Sequence, residues 1–484
     1  MYKQSLYLSI SKGLKSISAL IITMIIARVL SQEDYGIYRQ YILITSLLGG
    51  ILIFGIPTAV SYLFKNIKSE NISKLFINTS LLLGVISFIT ITFLIFFKKN
   101  VVALISHNGE INSIFSLAIV YIVILIFFSF LENIYISDGQ GYIFAKINIV
   151  YYILYMIAIS VTSYILKSLF EIVFLMVVFE LIKGMILYIY YIRFRKLDLS
   201  FDKKLLKQEF TVAIPIGISA IAQTANSYLG NLYVSSNYDV RSFALYSVGV
   251  TEIPFISIIT LSISTALLPT LSYQYKTEKN QILMLKTWND SVLLGAIIIF
   301  PIYWILLFWS NGYIEFIFSK NYLSATEIYQ IYLLKLPLAI TVFGNILVVL
   351  NKSKYIFYNM LFALIFNLVS MLILDKYIGL NGVALSSVIT QLLLVIITIL
   401  QIKKSLSVKL FDVIPLGKLG VYFISTFLIT LIVFLVSNIL DNQIISFFIF
   451  GGLSFCIILF VFYKFGVLEK YLKDLNIRRV RGKK

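Results

Sequence analysis

Histidine and cysteine are almost absent from this chain, since His107 and Cys456 are each the sole representative among 484 residues. A lone cysteine makes no intramolecular disulfide and no cysteine metal site, and a lone histidine excludes clustered histidine ligands and a Ser/His/Asp triad within the membrane. His-Glu-x-x-His is missing, as are a Gly-x-x-x-x-Gly-Lys-Ser/Thr loop and an Asp-x-Asp pair. Zinc hydrolysis, ATP hydrolysis by this chain and metal-assisted sugar-nucleotide chemistry therefore lack their motifs. No cofactor and no metal are expected. Charge is scarce as well: Asp, Glu, Lys and Arg make up 13% of the chain, against about a quarter in soluble domains. What is abundant is apolar side chain, 60% of residues, with mean hydropathy +0.95. No globular core of this length hides so much from water. Lipid is the solvent that fits, and a soluble enzyme, a nucleic-acid-binding domain and a single-pass receptor are excluded.

Apolar runs between charged or turn-rich breaks predict about fourteen transmembrane helices in an all-α polytopic membrane protein. They lie at 9–30, 41–64, 75–97, 115–136, 147–166 and 170–192, then 210–233, 243–268, 291–308, 327–350, 355–374 and 383–400, then 419–436 and 444–462. Each is near the roughly 20 residues a span requires, and the runs are continuous rather than alternating, as lipid-exposed helices must be. The polar stretches between them are short. Neither 193–209 nor 401–418 reaches about 20 residues, so neither folds as a catalytic domain, and the chain is not expected to be an enzyme.

Lysine and arginine fix an orientation. With the N-terminus inside, 28 of the 40 fall in loops or tails on the inner side and seven on the outer, the other five lying within spans. The positive-inside rule then places both termini in the cytoplasm and accounts for the net charge of +18 without nucleic acid. The basic tail 464–484 could also meet anionic lipid headgroups.

Three short echoes recur in order along the chain. Tyr35-Gly36-Ile37-Tyr38 returns as Phe243-Ala244-Leu245-Tyr246, Ser61-Tyr62-Leu63-Phe64-Lys65 as Ser272-Tyr273-Gln274-Tyr275-Lys276, and Tyr142-Ile143-Phe144 as Tyr355-Ile356-Phe357. Six spans separate the copies, an even number, so the halves share one orientation. The expected organisation is two parallel six-helix bundles, 1–195 and 210–400, around a central cavity. A basic cytoplasmic linker, 196–209, joins them, and two extra helices occupy 401–463. Parallel repeats of this kind serve transporters that rock two bundles about a midplane site.

Function must then lie with ionisable side chains inside the membrane, where a charge costs about 2.5–3.5 kcal/mol on insertion scales and usually faces a bundle interior. Lys12 lies near the cytoplasmic end and can snorkel, whereas Lys15 lies about 9 Å in by helical rise and divides evenly between snorkelling and lining a cavity. Arg28 sits near the outer end, as an interface anchor or a partner for Glu33-Asp34. Lys335 is about 12 Å into its span, two residues before Pro337, and favours a cavity role. Glu252, beside Pro254, is at comparable depth, and an ion pair with Lys335 is its structural alternative. Glu180 and Lys183 are three apart, as a neutralising pair on one helix. Glu132 lies near the cytoplasmic end, solvated or else involved in coupling or gating like Glu252.

The segment Ile26-Ala27-Arg28-Val29-Leu30-Ser31-Gln32-Glu33-Asp34-Tyr35-Gly36-Ile37-Tyr38 resembles the signature near the start of bacterial polysaccharide flippases, the Wzx-type oligosaccharide transporters of the multidrug/oligosaccharidyl-lipid/polysaccharide superfamily. Gly379-Leu380-Asn381-Gly382-Val383-Ala384 resembles that family's Gly-x-x-Gly-x-Ala helix entry. Lys167-Ser168-Leu169-Phe170-Glu171, the matching place in the first half, lacks the glycines. The resemblance implies transfer of undecaprenyl-diphosphate-linked oligosaccharide across the bacterial inner membrane for O-antigen, capsule or exopolysaccharide. It also implies partner polymerases and glycosyltransferases, and a cationic cavity made here by Lys15, Arg28 and Lys335. A cation-coupled multidrug antiporter of the same superfamily is the rival, and it calls for acidic residues where these are basic. A membrane polymerase or glycosyltransferase calls for a large external loop or an acidic metal pair, and a scaffold needs no buried charge.

Overall fold

The computed structural model describes residues 2–67, 71–195, 200–340, 344–437 and 439–467, and every regular element among them is helical. Part of the linker 196–209 and most of the basic tail lie outside those residues. The chain forms two compact units, Met1–Ser247 and Val248–Lys484.

In the first unit α1 (Tyr2–Val29) is followed by α2 (Gln32–Leu52), whose start is capped by the Ser31 side chain accepting from the Asp34 amide. A break at 53–55 separates α2 from α3 (Ile56–Phe64), and the two are bent by 43°. Gly55 takes φ +70°, and a methyl there would lie 2.8 Å from the Gly217 nitrogen. One at Gly217 would lie 2.6 Å from the Phe54 carbonyl oxygen. Only a pair of facing glycines lets these backbones approach so closely. Helices α4 (Ile72–Phe96), α5 (Lys98–Ile105), α6 (Phe115–Phe128), α7 (Leu131–Ser137), α8 (Gly141–Leu166) and α9 (Leu169–Arg195) follow. α1 lies along α8 in parallel, with Tyr7 edge-on to Tyr142 at 4.5 Å and Ser18 donating to the Tyr152 carbonyl at 3.3 Å. The unit ends with α10 (Lys203–Asn237), which packs against α2, α3, α4 and α5, and with α11 (Val240–Gly249), whose last two residues belong to the second unit.

The second unit holds α12 (Pro254–Lys276), α13 (Gln281–Phe308), α14 (Ser310–Phe318), α15 (Thr326–Leu333), α16 (Gly344–Val349), α17 (Ser353–Leu406), α18 (Leu410–Val413), α19 (Leu416–Ser437), α20 (Gln443–Ser446) and α21 (Gly452–Lys464). α17 is a hairpin of two spans, because Ile378 and Gly379 leave helical geometry. Gly379 takes φ 55° and ψ −137°, a region essentially reserved for glycine. Across the hairpin Asn359 donates to Gln401 at 2.9 Å and Ser386 donates to Asn367 at 3.1 Å. A methyl at Gly382 would meet the Leu374 carbonyl oxygen at 2.3 Å, so both glycines of the Gly-x-x-Gly-x-Ala entry serve this turn. At the corresponding turn between α8 and α9, Lys167 adopts φ 49° in place of glycine. Trp304 on α13 anchors α19, donating to the Phe423 carbonyl at 3.1 Å with Phe423 and Phe427 against its ring.

Among the described residues every predicted span falls mainly on helix, and eleven helical segments are long and apolar enough to cross a membrane alone, or twelve with the bent α2–α3 pair. Continuity is where expectation fails. The runs 41–64, 115–136, 243–268 and 327–350, predicted as single helices, are each interrupted: at 53–55, at 129–130, at 250–253, and from Leu334 into the short turn Pro337–Ile340. Pro57, Pro254 and Pro337 stand at the restarts of the first, third and fourth, and a proline disfavours helix in the residue before it.

Candidate functional site

The signature Tyr35-Gly36-Ile37-Tyr38 forms the first turns of α2 and lies against the start of α11. A methyl at Gly36 would sit 2.4 Å from the Val240 carbonyl oxygen, so this glycine is required by a backbone contact. On either side of it Glu33 pairs with Arg241 at 2.8 Å, and Arg39 donates to the Ser247 carbonyl at 3.1 Å. Asp239 caps α11, accepting from the Arg241 and Ser242 amides. Those bonds, the Ser242 amide first, hold its carboxyl below the usual range. Glu33 thus pairs with Arg241, and Arg28 donates to the Met24 carbonyl of its own helix, 3.3 Å away.

The predicted intramembrane charges of the first unit divide into two kinds. Lys12 and Glu132, read separately as snorkelling and solvated, are joined across α1 and α7 at 3.2 Å. Glu180 and Lys183 pair on α9 as their spacing implies, and Tyr151 from α8 donates to Glu180 at 3.0 Å. Lys183 also lies 4.7 Å from the Tyr151 ring centre. Lys15 and Arg28, by contrast, are exposed on α1.

In the second unit Glu252 and Lys335 lie at helix breaks rather than within helices. Glu252 is exposed in the non-helical stretch 251–253 before α12. Lys335 is half-buried just beyond α15, its ammonium 3.2 Å from the Tyr332 hydroxyl and 4.3 Å from the same ring's centre. The two form no ion pair. An ammonium over a tyrosine face is attracted by the ring, and its remaining donors can serve an acceptor such as a phosphate oxygen.

A further group escaped the sequence reading, where Glu209 merely ended a basic linker. At 1.5 Å per residue α10 is about 52 Å long, well beyond the roughly 30 Å of hydrocarbon. Its first two turns, with Lys203, Lys204 and Lys207 exposed, precede the predicted span 210–233 at its lysine-rich end. There Asn78 of α4 clamps the backbone of Asp202, donating to its carbonyl at 2.7 Å and accepting its amide at 3.2 Å. Asp202 caps α10 through the Lys204 and Leu205 amides. Next to Asn78, Thr79 donates to Oε1 of Glu209 at 2.7 Å. Glu209 is fully buried, and its Oε2 has no hydrogen-bond partner among the described residues. Burial pushes its carboxyl up to about 7, with the Thr79 hydroxyl opposing. The available signal was a stripe of Leu205, Glu209, Ala213 and Gly217 at helical spacing, in which the one polar member is buried with the rest.

Comparison with known proteins places this architecture. A family model described as "Polysaccharide biosynthesis protein" matches residues 1–274. No curated protein matches the sequence. Among solved structures the chain is similar to lipid II flippase MurJ in an inward closed conformation, with TM-score 0.74 at 19% identity over 96% of this chain and 100% of that one. It is also similar to an inward-facing multidrug resistance MATE family transporter of the MOP superfamily, with TM-score 0.62 at 13% identity over 84% and 98%. A MOP superfamily transporter from Pyrococcus furiosus, whose binding pocket is described as of reverse polarity, gives TM-score 0.56 at 15% identity over 84% and 95%. At these identities the likeness is one of fold.

Proposed function

The chain belongs to the polysaccharide biosynthesis protein family, and on that premise we propose that it moves undecaprenyl-diphosphate-linked oligosaccharide units from the cytoplasmic to the outer leaflet for surface polysaccharide assembly. The family match over residues 1–274 carries this reading, and the fold shared with MurJ along the whole chain supports it. The physical problem suits a helical bundle. A diphosphate cannot cross roughly 30 Å of hydrocarbon unaided, whereas its polyprenyl tail remains in lipid as the head passes through protein. Lys335 on its tyrosine, with Lys15 and Arg28, supplies cations for the diphosphate or for acidic sugars. Glu252 and Glu132 stand as gating candidates. Transport proceeds by alternating access in the plasma membrane, with both termini cytoplasmic, and the product passes to a polymerase.

The experiment is depletion of the protein in its host, followed by assay of the lipid-linked oligosaccharide in each leaflet. Accumulation on the cytoplasmic side with loss of surface polysaccharide is expected, and an unchanged distribution would end the proposal. Lys335→Ala should abolish surface polysaccharide at normal membrane levels of protein. Normal export by both Lys335→Ala and Lys15→Ala would refute the cationic site while leaving flipping intact.

A further inference from the structure

The group that neither the family nor the transport reading accounts for is Glu209. A fully buried carboxyl whose Oε2 has no donor cannot carry a charge without severe cost, since burying an ion without a partner is among the most expensive acts in a fold. We propose that Glu209 is a proton-binding site, protonated while α10 lies on α4 and deprotonated when the two helices part.

The surroundings explain why the proton has nowhere else to go. α4 offers one charged side chain, Lys74, five residues before Thr79, and its charge acts on Asp202. α3 carries Tyr62 alone among titratable groups, and it is 58% exposed. The titratable groups of α2 are Glu33, Asp34, Tyr35, Tyr38, Arg39 and Tyr41, all in its first ten residues, at the end where Glu33 meets Arg241 beyond the far terminus of α10. Lys98 and Lys99 of α5 belong to that far end too, where Ser235 and Ser236 of α10 donate to the Ile105 and Leu104 carbonyls. On α10 itself Lys203, Lys204 and Lys207 point outward. Among the described residues of these helices no cation therefore stands ready to neutralise a Glu209 carboxylate, and Thr79 supplies a hydrogen bond but no charge.

The step itself is simple. As α10 lifts from α4, the O–H bond of Glu209 breaks, its electron pair stays on the carboxylate, and the proton passes to water at the lysine-rich end. Return of α10 takes a proton back. Asn78 and Thr79, adjacent on α4, hold the same first two turns of α10 through one backbone clamp and one proton-dependent clamp. The site thus makes the separation of α4 from α10 sensitive to pH on the side that the proposed topology assigns to the cytoplasm. It stands whether or not the cargo is an oligosaccharide.

The test follows the opening of this contact. Ala213, one turn above Glu209 and fully buried, is replaced by cysteine in the full-length Cys456→Ser protein, with and without Glu209→Gln. Maleimide labelling of the purified protein is measured from pH 5 to pH 9. The ratio of the two rates cancels the titration of the thiol. With Glu209 present the ratio should climb by up to about tenfold per pH unit above the ordinary carboxyl range, and level off once the carboxyl ionises in the closed contact as well. Glu209→Gln should stay closed throughout. A ratio that does not change with pH overturns the proposal. Thr79→Val keeps the carboxyl and removes only the hydroxyl that favours its charged form in the closed contact, so the rise should continue to higher pH before it levels off. A rise in Thr79→Val that levels off at the same pH, or at a lower one, would equally overturn it. Infrared difference spectra provide an independent readout: a protonated-carboxyl band at neutral pH should vanish in Glu209→Gln, and its persistence would show that the proton sits elsewhere.

Discussion

Gly36 shows how a sequence motif becomes a mechanical requirement. Its neighbours Tyr35 and Tyr38 are buried, and its own Cα faces the Val240 carbonyl with no room for a methyl. Gly36→Ala should destabilise the purified protein by about 1–3 kcal/mol, the usual cost of overpacking against something that cannot yield, seen as a lower melting temperature. Gly452→Ala, where nothing lies within 4 Å, should leave it within a few tenths of a kcal/mol. The Glu33–Arg241 pair beside Gly36 predicts the opposite kind of result. Both side chains are more than half exposed, and exposed pairs contribute about 0–1 kcal/mol, so Arg241→Ala should barely move the melting temperature. Glu209 gives a pH signature of definite sign. Its folded value of about 7 lies above the ordinary 4.5, so the unfolded chain releases this proton first as pH rises. Stability in detergent should fall between those two values, by about 3 kcal/mol in all, and level off above neutrality. A Glu209→Gln protein that shows the same fall would assign it to another group.

Among the elements, the existence of helices was plain in the sequence and their interruptions were not. Apolar residues flank 250–253 and 334–336 on both sides, with only Glu252 and Lys335 charged within them, so hydropathy reports membrane on either side of each break and says nothing of the break itself. Prolines marked the places, but a proline can equally sit inside a helix, as Pro215, Pro269 and Pro301 do. Lys335 and Glu252 were therefore assigned depths along helices that stop before reaching them. Lys12–Glu132 and Thr79–Glu209 were illegible for a different reason: each joins residues more than a hundred positions apart, and nothing local announces the partner. Gly379 and Gly382, by contrast, could be read, because a conformation only glycine adopts leaves its mark in the letters. The meeting of α2 with α11 supports a crosslinking experiment. Cysteines at Gln32 and Ser242 on a Cys456→Ser background should join readily and stop export, with export restored on reduction. Efficient joining with undiminished export would mean that this seam does not open during transport.

For the molecule as a whole, the distribution of lysine and arginine makes a prediction about sides. Single cysteines at Ser200 and Ser405 should resist an impermeant thiol reagent applied to intact cells, while those at Asn108 and Asn237 should react. Labelling of Ser200→Cys from outside would invert the topology and the parallel repeat with it. The hold of Asn78 and Thr79 on α10 bears on something else, the order in which the protein is made. Asp202 lies 124 residues beyond Asn78, and Glu209 130 beyond Thr79. At roughly 5–20 residues per second, a ribosome needs about 6–25 seconds to deliver the second partner after the first. Throughout that interval Asn78 and Thr79 lack these partners, and the glycine at the α2–α3 bend lacks Gly217. A nascent chain stalled after Arg195 would be a half-built object for quality-control proteases, and completing α10 ends its exposure.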